Sequence, residues 1–144
     1  MSDTTTAPAA ADAATQATLE RLNTVIDRLI APDGCPWDST QTPESLTEYV
    51  IEECHELVDA IRSGKTADMV EELGDVAFLI LLIGKLMARA GGPSLADALE
   101  VEAAKMVRRH PHVFSDTTYE SQSEQLKDWD RIKREEKAAA DAEG

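Results

Sequence analysis

Apolar residues along this chain recur at intervals of three and four, never in sustained alternation, a period that predicts helices and no strand. Leu19, Leu22, Val25, Ile26, Leu29 and Ile30 mark a first helix, closed by Pro32, Asp33 and Gly34. Residues 32–43 are too rich in Pro, Gly, Asp and Ser for regular structure and read as a loop carrying Trp37. A second helix is predicted from Pro43, capped by Thr42, to about Ser63, where Gly64 stops it. A third runs from Thr66 to Ala90, and Ser94 with Asp97 resembles a capping box opening a fourth that ends near Arg109. Residues 110–120 read as a second loop. From Ser121 to about Ala140 the pattern predicts a charged helix with Leu126, Trp129 and Ile132 as its narrow apolar stripe. Short connections between long amphipathic helices predict an all-α fold, an antiparallel four-helix-bundle core with an extra C-terminal helix.

Four carboxylates stand on the apolar sides of these helices. With Leu46 at 0° and 100° per residue, Tyr49, Val50, Cys54, Leu57, Ala60 and Ile61 span an apolar arc in which Glu53 falls at about −20° and Glu56 at its edge near −80°. The third helix is apolar around almost its whole circumference through residues 76–83, leaving Glu71, Lys85 and Arg89 on a narrow solvent stripe. Glu72 is flanked there by Leu79 and Ile83, and Asp75 by Leu82 and Leu86. Within each pair, Glu53/Glu56 and Glu72/Asp75, the i, i+3 spacing aims two carboxylates the same way. Ionised carboxylates withdrawn from water and crowded together need compensation by protons, basic side chains or a cation. These helices offer no buried basic residue near them, and all-oxygen ligation suits Mg²⁺, with Mn²⁺ as a substitute. A di-iron site is disfavoured, because Glu52 and His55 form one Glu-x-x-His motif where two on separate helices are needed. On the fourth helix Lys105 and Arg109 share a face with Leu95, Leu99 and Met106, whereas Arg108 is expected to point away. They read either as contacts to a polyphosphate or as a base pair of side chains snorkelling beside Glu102.

Composition narrows the partners. Of 144 residues 14 are Lys or Arg and 28 Asp or Glu, a formal charge of −14. The simple stretches at 1–17 and 138–144 hold only Asp3, Asp12, Asp141 and Glu143 of that charge, so the acidity belongs to the domain predicted over 18–137. An N-terminal disordered tail and a flexible C-terminal one are expected on either side of it. A nucleic-acid partner is disfavoured by the charge. No apolar run approaches the roughly 20 residues that span a bilayer, and the opening residues are not expected to act as a secretory signal. Cys35 and Cys54 fit no metal knuckle or disulfide framework and read as reduced thiols of a cytoplasmic protein.

The motifs themselves are familiar in type. Glu52-Glu53-Cys54-His55-Glu56 followed by Glu72-Leu73-Gly74-Asp75 resembles the EExxE…ExxD signature of MazG-type nucleoside triphosphate pyrophosphohydrolases. Cys35-Pro36-Trp37-Asp38 with Gln41-Thr42 is similar to that family's CPWD…QT loop, and residues 105–114, KMVRRHPHVF, to its KxxRRHPHVF segment. The closing Trp129-Asp130-Arg131-Ile132-Lys133 is similar too. The resemblance implies a Mg²⁺-dependent enzyme that hydrolyses a nucleoside triphosphate to the monophosphate and pyrophosphate, assembled as a homodimer or homotetramer. It implies metal ligation by Glu53, Glu56, Glu72 and Asp75, with Glu52 a further ligand or the group that orients the attacking water. It implies phosphate contacts from Lys105 and Arg109 and a base or ribose border at Trp37 and Asp38. The best-known members carry the domain twice, whereas this chain holds one copy. The rival expectation is a non-catalytic helical bundle that binds nucleotides or a partner protein.

Overall fold

The computed structural model describes residues 6–144, and among them the chain is all-α. The helices are α1 (Thr6–Leu29), α2 (Pro36–Ser39), α3 (Thr47–Ser63), α4 (Thr66–Arg89), α5 (Leu95–Arg109), α6 (Pro111–Phe114) and α7 (Gln122–Glu143), with a 3₁₀ turn at Glu44–Leu46 ahead of α3. Two compact units divide the described chain, the first ending at Leu95 and the second starting at Ala96.

In the first unit α3 and α4 form a helical hairpin, joined through Gly64, which closes α3 at φ 72°. That left-handed conformation is why the helix stops at a glycine. Thr42 acts as the expected cap, but of the 3₁₀ turn. Its Oγ1 accepts from the Ser45 amide (3.2 Å) while its own amide donates to Ser45 Oγ (2.9 Å). The core gathers Ile26 from α1, Leu46, and Leu79, Leu81, Leu82 and Leu86 from α4, with Leu22, Ile30, Val50, Phe78, Ile83 and Leu95 packed around it. Burial thus runs along the C-terminal half of α4. Its N-terminal half leaves Val70 and Leu73 exposed at 68% and 59%, so the helix that the pattern reads as apolar all round is only partly covered within one chain.

Four local readings change. Residues 6–17, assigned to a tail, belong to α1, because alanine is the strongest helix former even where it packs on nothing; positions 9–21 are all exposed. The remainder of the assigned tail, residues 1–5, lies outside the described residues. Residues 138–143, likewise alanine-rich, continue α7. Each predicted loop contains one turn of helix started by a proline at its first position, α2 at Pro36 and α6 at Pro111, where the missing N–H costs nothing. On α4, Lys85 and Arg89 also do more than face solvent. Lys85 pairs with Asp27 at 2.6 Å, and Arg89 donates to the Ile30 (3.2 Å) and Ser39 (3.0 Å) carbonyls, tying the ends of α1 and α2 to α4.

Buried Gly84 is where α4 meets the start of α5. A Cβ there would lie 2.7 Å from Leu95 Cβ, with that residue's Cα and N at 3.4 Å, so backbone as well as side chain would have to move. Gly84→Ala is expected to lose about 1–2 kcal/mol, the overpacking cost exceeding the gain in helix propensity. A lower urea midpoint checks this; an unchanged or higher one contradicts it.

Candidate metal centre

The hairpin brings Glu53 and Glu56 of α3 together with Glu72 and Asp75 of α4. One carboxylate oxygen from each lies within 4.8 Å of all the others. Residues three apart on a helix share a face, so two such pairs on adjacent helices converge where the faces meet. The four are not equally placed. Glu53 and Glu72 are half-buried, whereas Glu56 and Asp75 are exposed, so the site is a seam open to water on one side. The expectation that all four project among apolar neighbours is corrected for Glu56 and Asp75. The wheel puts Glu56 at the edge of its arc but Asp75 between Leu82 and Leu86, and both are exposed because the N-terminal half of α4, with Val70 and Leu73, is left uncovered.

Glu53 Oε2 and Glu72 Oε2 are buried and have no hydrogen-bond partner. Among the described residues no lysine or arginine pairs with any of the four. The electrostatic consequence falls on the two inner groups. Withdrawal from water, then the charges of Glu56 and Asp75, hold the Glu53 carboxyl above its usual range. Glu72 is pushed up to about 7 by withdrawal from water, the adjacent Glu56 carboxyl and the charges of Asp75 and Glu53. Buried acceptors without donors, in a cluster without cations, are the surroundings a hard divalent cation fits. Glu52 lies outside this group and is exposed on α3.

Trp37, on α2, is exposed, and Asp38 is half-buried. The Trp37 ring meets Tyr49 of α3 edge-on, with centroids 5.6 Å apart and planes at 90°. Sequence reasoning counted Tyr49 as an apolar-arc residue; the signal that marks it is its position one turn before Glu53.

In the second unit the cations are engaged. Lys105 pairs with Glu102 at 2.6 Å, the alternative that its spacing left open. Arg109 donates from Nε and Nη2 to Glu136 Oε2 (3.2 and 2.8 Å) and stacks over Trp129, its Cζ 5.7 Å from the ring centre. Arg108 does not point away as expected, since its Nε reaches Glu136 Oε1 at 2.6 Å. Glu136 was not singled out from the sequence, for nothing in a charged helix marks which carboxylate turns inward. The cleft of about 1130 Å³ in this unit is lined by Arg108, Tyr119, Asp128, Arg131, Glu135 and Glu136, whose charges satisfy one another.

Hydrogen bonds from Arg109 and Arg108 hold the Glu136 carboxyl down to about 2, against an ordinary 4.5. Between those values the unfolded chain binds the proton and the folded one does not, so this pair's stabilisation is present above pH 4.5 and is lost as pH falls through 2. Glu136→Gln is therefore expected to be less heat-stable than the parent at pH 6, with the gap closing toward pH 2. Paired melting curves across that range check it, and a gap independent of pH contradicts it.

Residues 41–114 match the family model of the MazG nucleotide pyrophosphohydrolase domain. The chain is 42% identical over 118 residues to the protein YabN of Bacillus subtilis, covering 82% of this chain and 24% of that one. It is 40% identical over 118 residues to the nucleoside triphosphate pyrophosphohydrolase/pyrophosphatase MazG of Thermotoga maritima, covering 82% of this chain and 45% of that one. The chain therefore spans half or less of the length of these relatives. Among solved structures it resembles the crystal structure of a mazG-related protein from Thermotoga maritima, with TM-score 0.67 and 30% identity, over 80% of this chain and 98% of that one.

Proposed function

The chain belongs to the MazG nucleotide pyrophosphohydrolase domain family, and from that premise we propose that it hydrolyses nucleoside triphosphates to the monophosphate and pyrophosphate with Mg²⁺. The observation that carries the reading is the convergence of Glu53, Glu56, Glu72 and Asp75, with two buried oxygens lacking any donor. These four residues would hold the cation. When bound, Mg²⁺ supplies neutralisation of the polyphosphate charge and Lewis acidity toward its oxygens. A hard-oxygen set of this kind also accepts Mn²⁺.

Glu52, exposed next to Glu53, is the group we assign to the attacking water. Its carboxylate accepts a proton from the water as the oxygen attacks the α phosphorus in line. The bond between that phosphorus and the bridging oxygen to the β phosphorus breaks, and pyrophosphate leaves. Glu53 orients the inner side of the cluster. Trp37 and Asp38 border the nucleoside. For Lys105 and Arg109 the resemblance suggests a role in phosphate binding; in this structure they pair with Glu102 and Glu136.

The functional unit we propose is a homodimer or homotetramer, with neither nucleic acid nor membrane as partner. Among the described residues no helix is long and apolar enough to cross a membrane, and the free cysteines, Cys35 and Cys54, fit a cytoplasmic setting. A screen of the eight common ribo- and deoxyribonucleoside triphosphates with Mg²⁺, and again with chelator, tests the activity. Monophosphate and pyrophosphate in equal amounts, abolished by chelator, are expected. Release of orthophosphate, or of nothing, would contradict it and leave a nucleotide-binding bundle as the better reading.

A further inference from the structure

Trp37 and Tyr49 are 47% and 40% exposed, yet the first of them is tied down more firmly than an exposed loop residue needs. The Trp37 carbonyl accepts from Thr40 Oγ1 (3.1 Å) and Gln41 Nε2 (3.0 Å), and the Gln41 amide oxygen accepts in turn from Ser45 Oγ (2.6 Å). Arg89 fixes the end of the same turn through the Ser39 carbonyl. The backbone beneath the indole is thus held from both flanks, while the ring itself faces water.

Tyr49 belongs to the same stripe of α3 as the carboxylates. It is four residues before Glu53 and seven before Glu56, within about 40° and 20° of them around the helix and roughly 6 Å along the axis from Glu53. The right-angled pair, the edge of one ring set on the face of the other, forms an exposed corner one turn from the seam. A planar aromatic solute fits such a corner by stacking on one ring and meeting the edge of the other.

We infer that Trp37 and Tyr49 together form the platform for the nucleobase, Tyr49 being a binding residue in its own right. This rests on the function proposed above, which sets the phosphates at the seam and a nucleoside beside Trp37. Stacking engages the π-face that every base has, so the platform discriminates a nucleotide from a bare polyphosphate far more than one base from another.

The test measures equilibrium binding of a non-hydrolysable nucleoside triphosphate analogue and of inorganic tripolyphosphate, both with Mg²⁺, alongside KM and kcat. Tyr49→Ala is expected to weaken the analogue and raise KM by roughly 5- to 100-fold, with kcat nearly unchanged and tripolyphosphate binding unaffected. Tyr49→Phe, which keeps the ring, should recover most of the loss. Equal weakening of both ligands, weakening of neither, or a change in association state in place of a change in affinity overturns the inference; the last would make the pair a contact between copies. A parent protein that binds the analogue without hydrolysing triphosphates sinks the hydrolase reading alone. One that hydrolyses them but binds the analogue no tighter than tripolyphosphate sinks the platform alone.

Discussion

Glu53→Gln is expected to fold, to melt no lower than the parent in the absence of Mg²⁺, and to lose hydrolysis by on the order of 100-fold or more. The amide keeps the shape of the carboxylate and removes one charge from a cluster in which withdrawal from water and the charges of Glu56 and Asp75 already disfavour ionisation of Glu53. Function and stability here oppose each other: the repulsion that makes the site costly is the field that would draw in a cation. Asp75→Asn should lose activity comparably. Its effect on metal-free melting should be smaller, because Asp75 is exposed and Glu53 is not. Initial rates with Mg²⁺ and melting curves with chelator give both quantities from one preparation. Turnover within a few-fold of the parent for either variant would remove that residue from the ligand set.

The second large effect concerns association. Sedimentation equilibrium at micromolar concentration is expected to give two or four times the 15.7 kDa chain mass. The hairpin of α3 and α4 exposes Ile51, Val58 and Ile61 on one helix and Val70, Leu73 and Ile80 on the other. We propose that this apolar surface, carried on one supersecondary unit, is the association face. Because the same hairpin carries the four carboxylates, dissociation should also disturb them. Leu73→Lys, two positions from Asp75 and itself exposed, is predicted to yield monomers with much reduced activity, since a buried lysine without a partner is strongly disfavoured at such a contact. A parent that sediments as a clean monomer would refute the association, and a Leu73→Lys protein that stays assembled would refute this choice of face.

How much of this was legible beforehand differs by element and for physical reasons. The long helices announce themselves through three-four periodicity, and the clustering of Glu53, Glu56, Glu72 and Asp75 through two i, i+3 pairs on such helices. Both signals are local, since a helix fixes which residues share a face before any tertiary contact forms. Gly64 and Thr42 were readable for the same reason, because left-handed and capping positions constrain residue type. The alanine-rich segment before residue 18 misled because the same composition is too apolar-poor for a core and yet ideal for a helix. Glu136 and Tyr49 escaped notice because what distinguishes them is a neighbour from a different element, Arg108 and Arg109 in one case and Trp37 in the other. The same holds for Arg89, an exposed cation by the wheel whose guanidinium spans the carbonyls of Ile30 and Ser39. Side chains long enough to leave their own helix are the ones a helical wheel places worst.

The central claim is that Glu53, Glu56, Glu72 and Asp75 form a site for a divalent cation, and calorimetric titration of Mg²⁺ into the metal-free protein tests it most directly. The account predicts saturable binding in the parent and none in Glu53→Gln. At a Mg²⁺ concentration about 100 times the Kd so measured, the parent alone should gain about 2.7 kcal/mol of stability in parallel melts. Absence of saturable heat together with an unchanged melting temperature in the parent, or identical titrations for parent and variant, would contradict it.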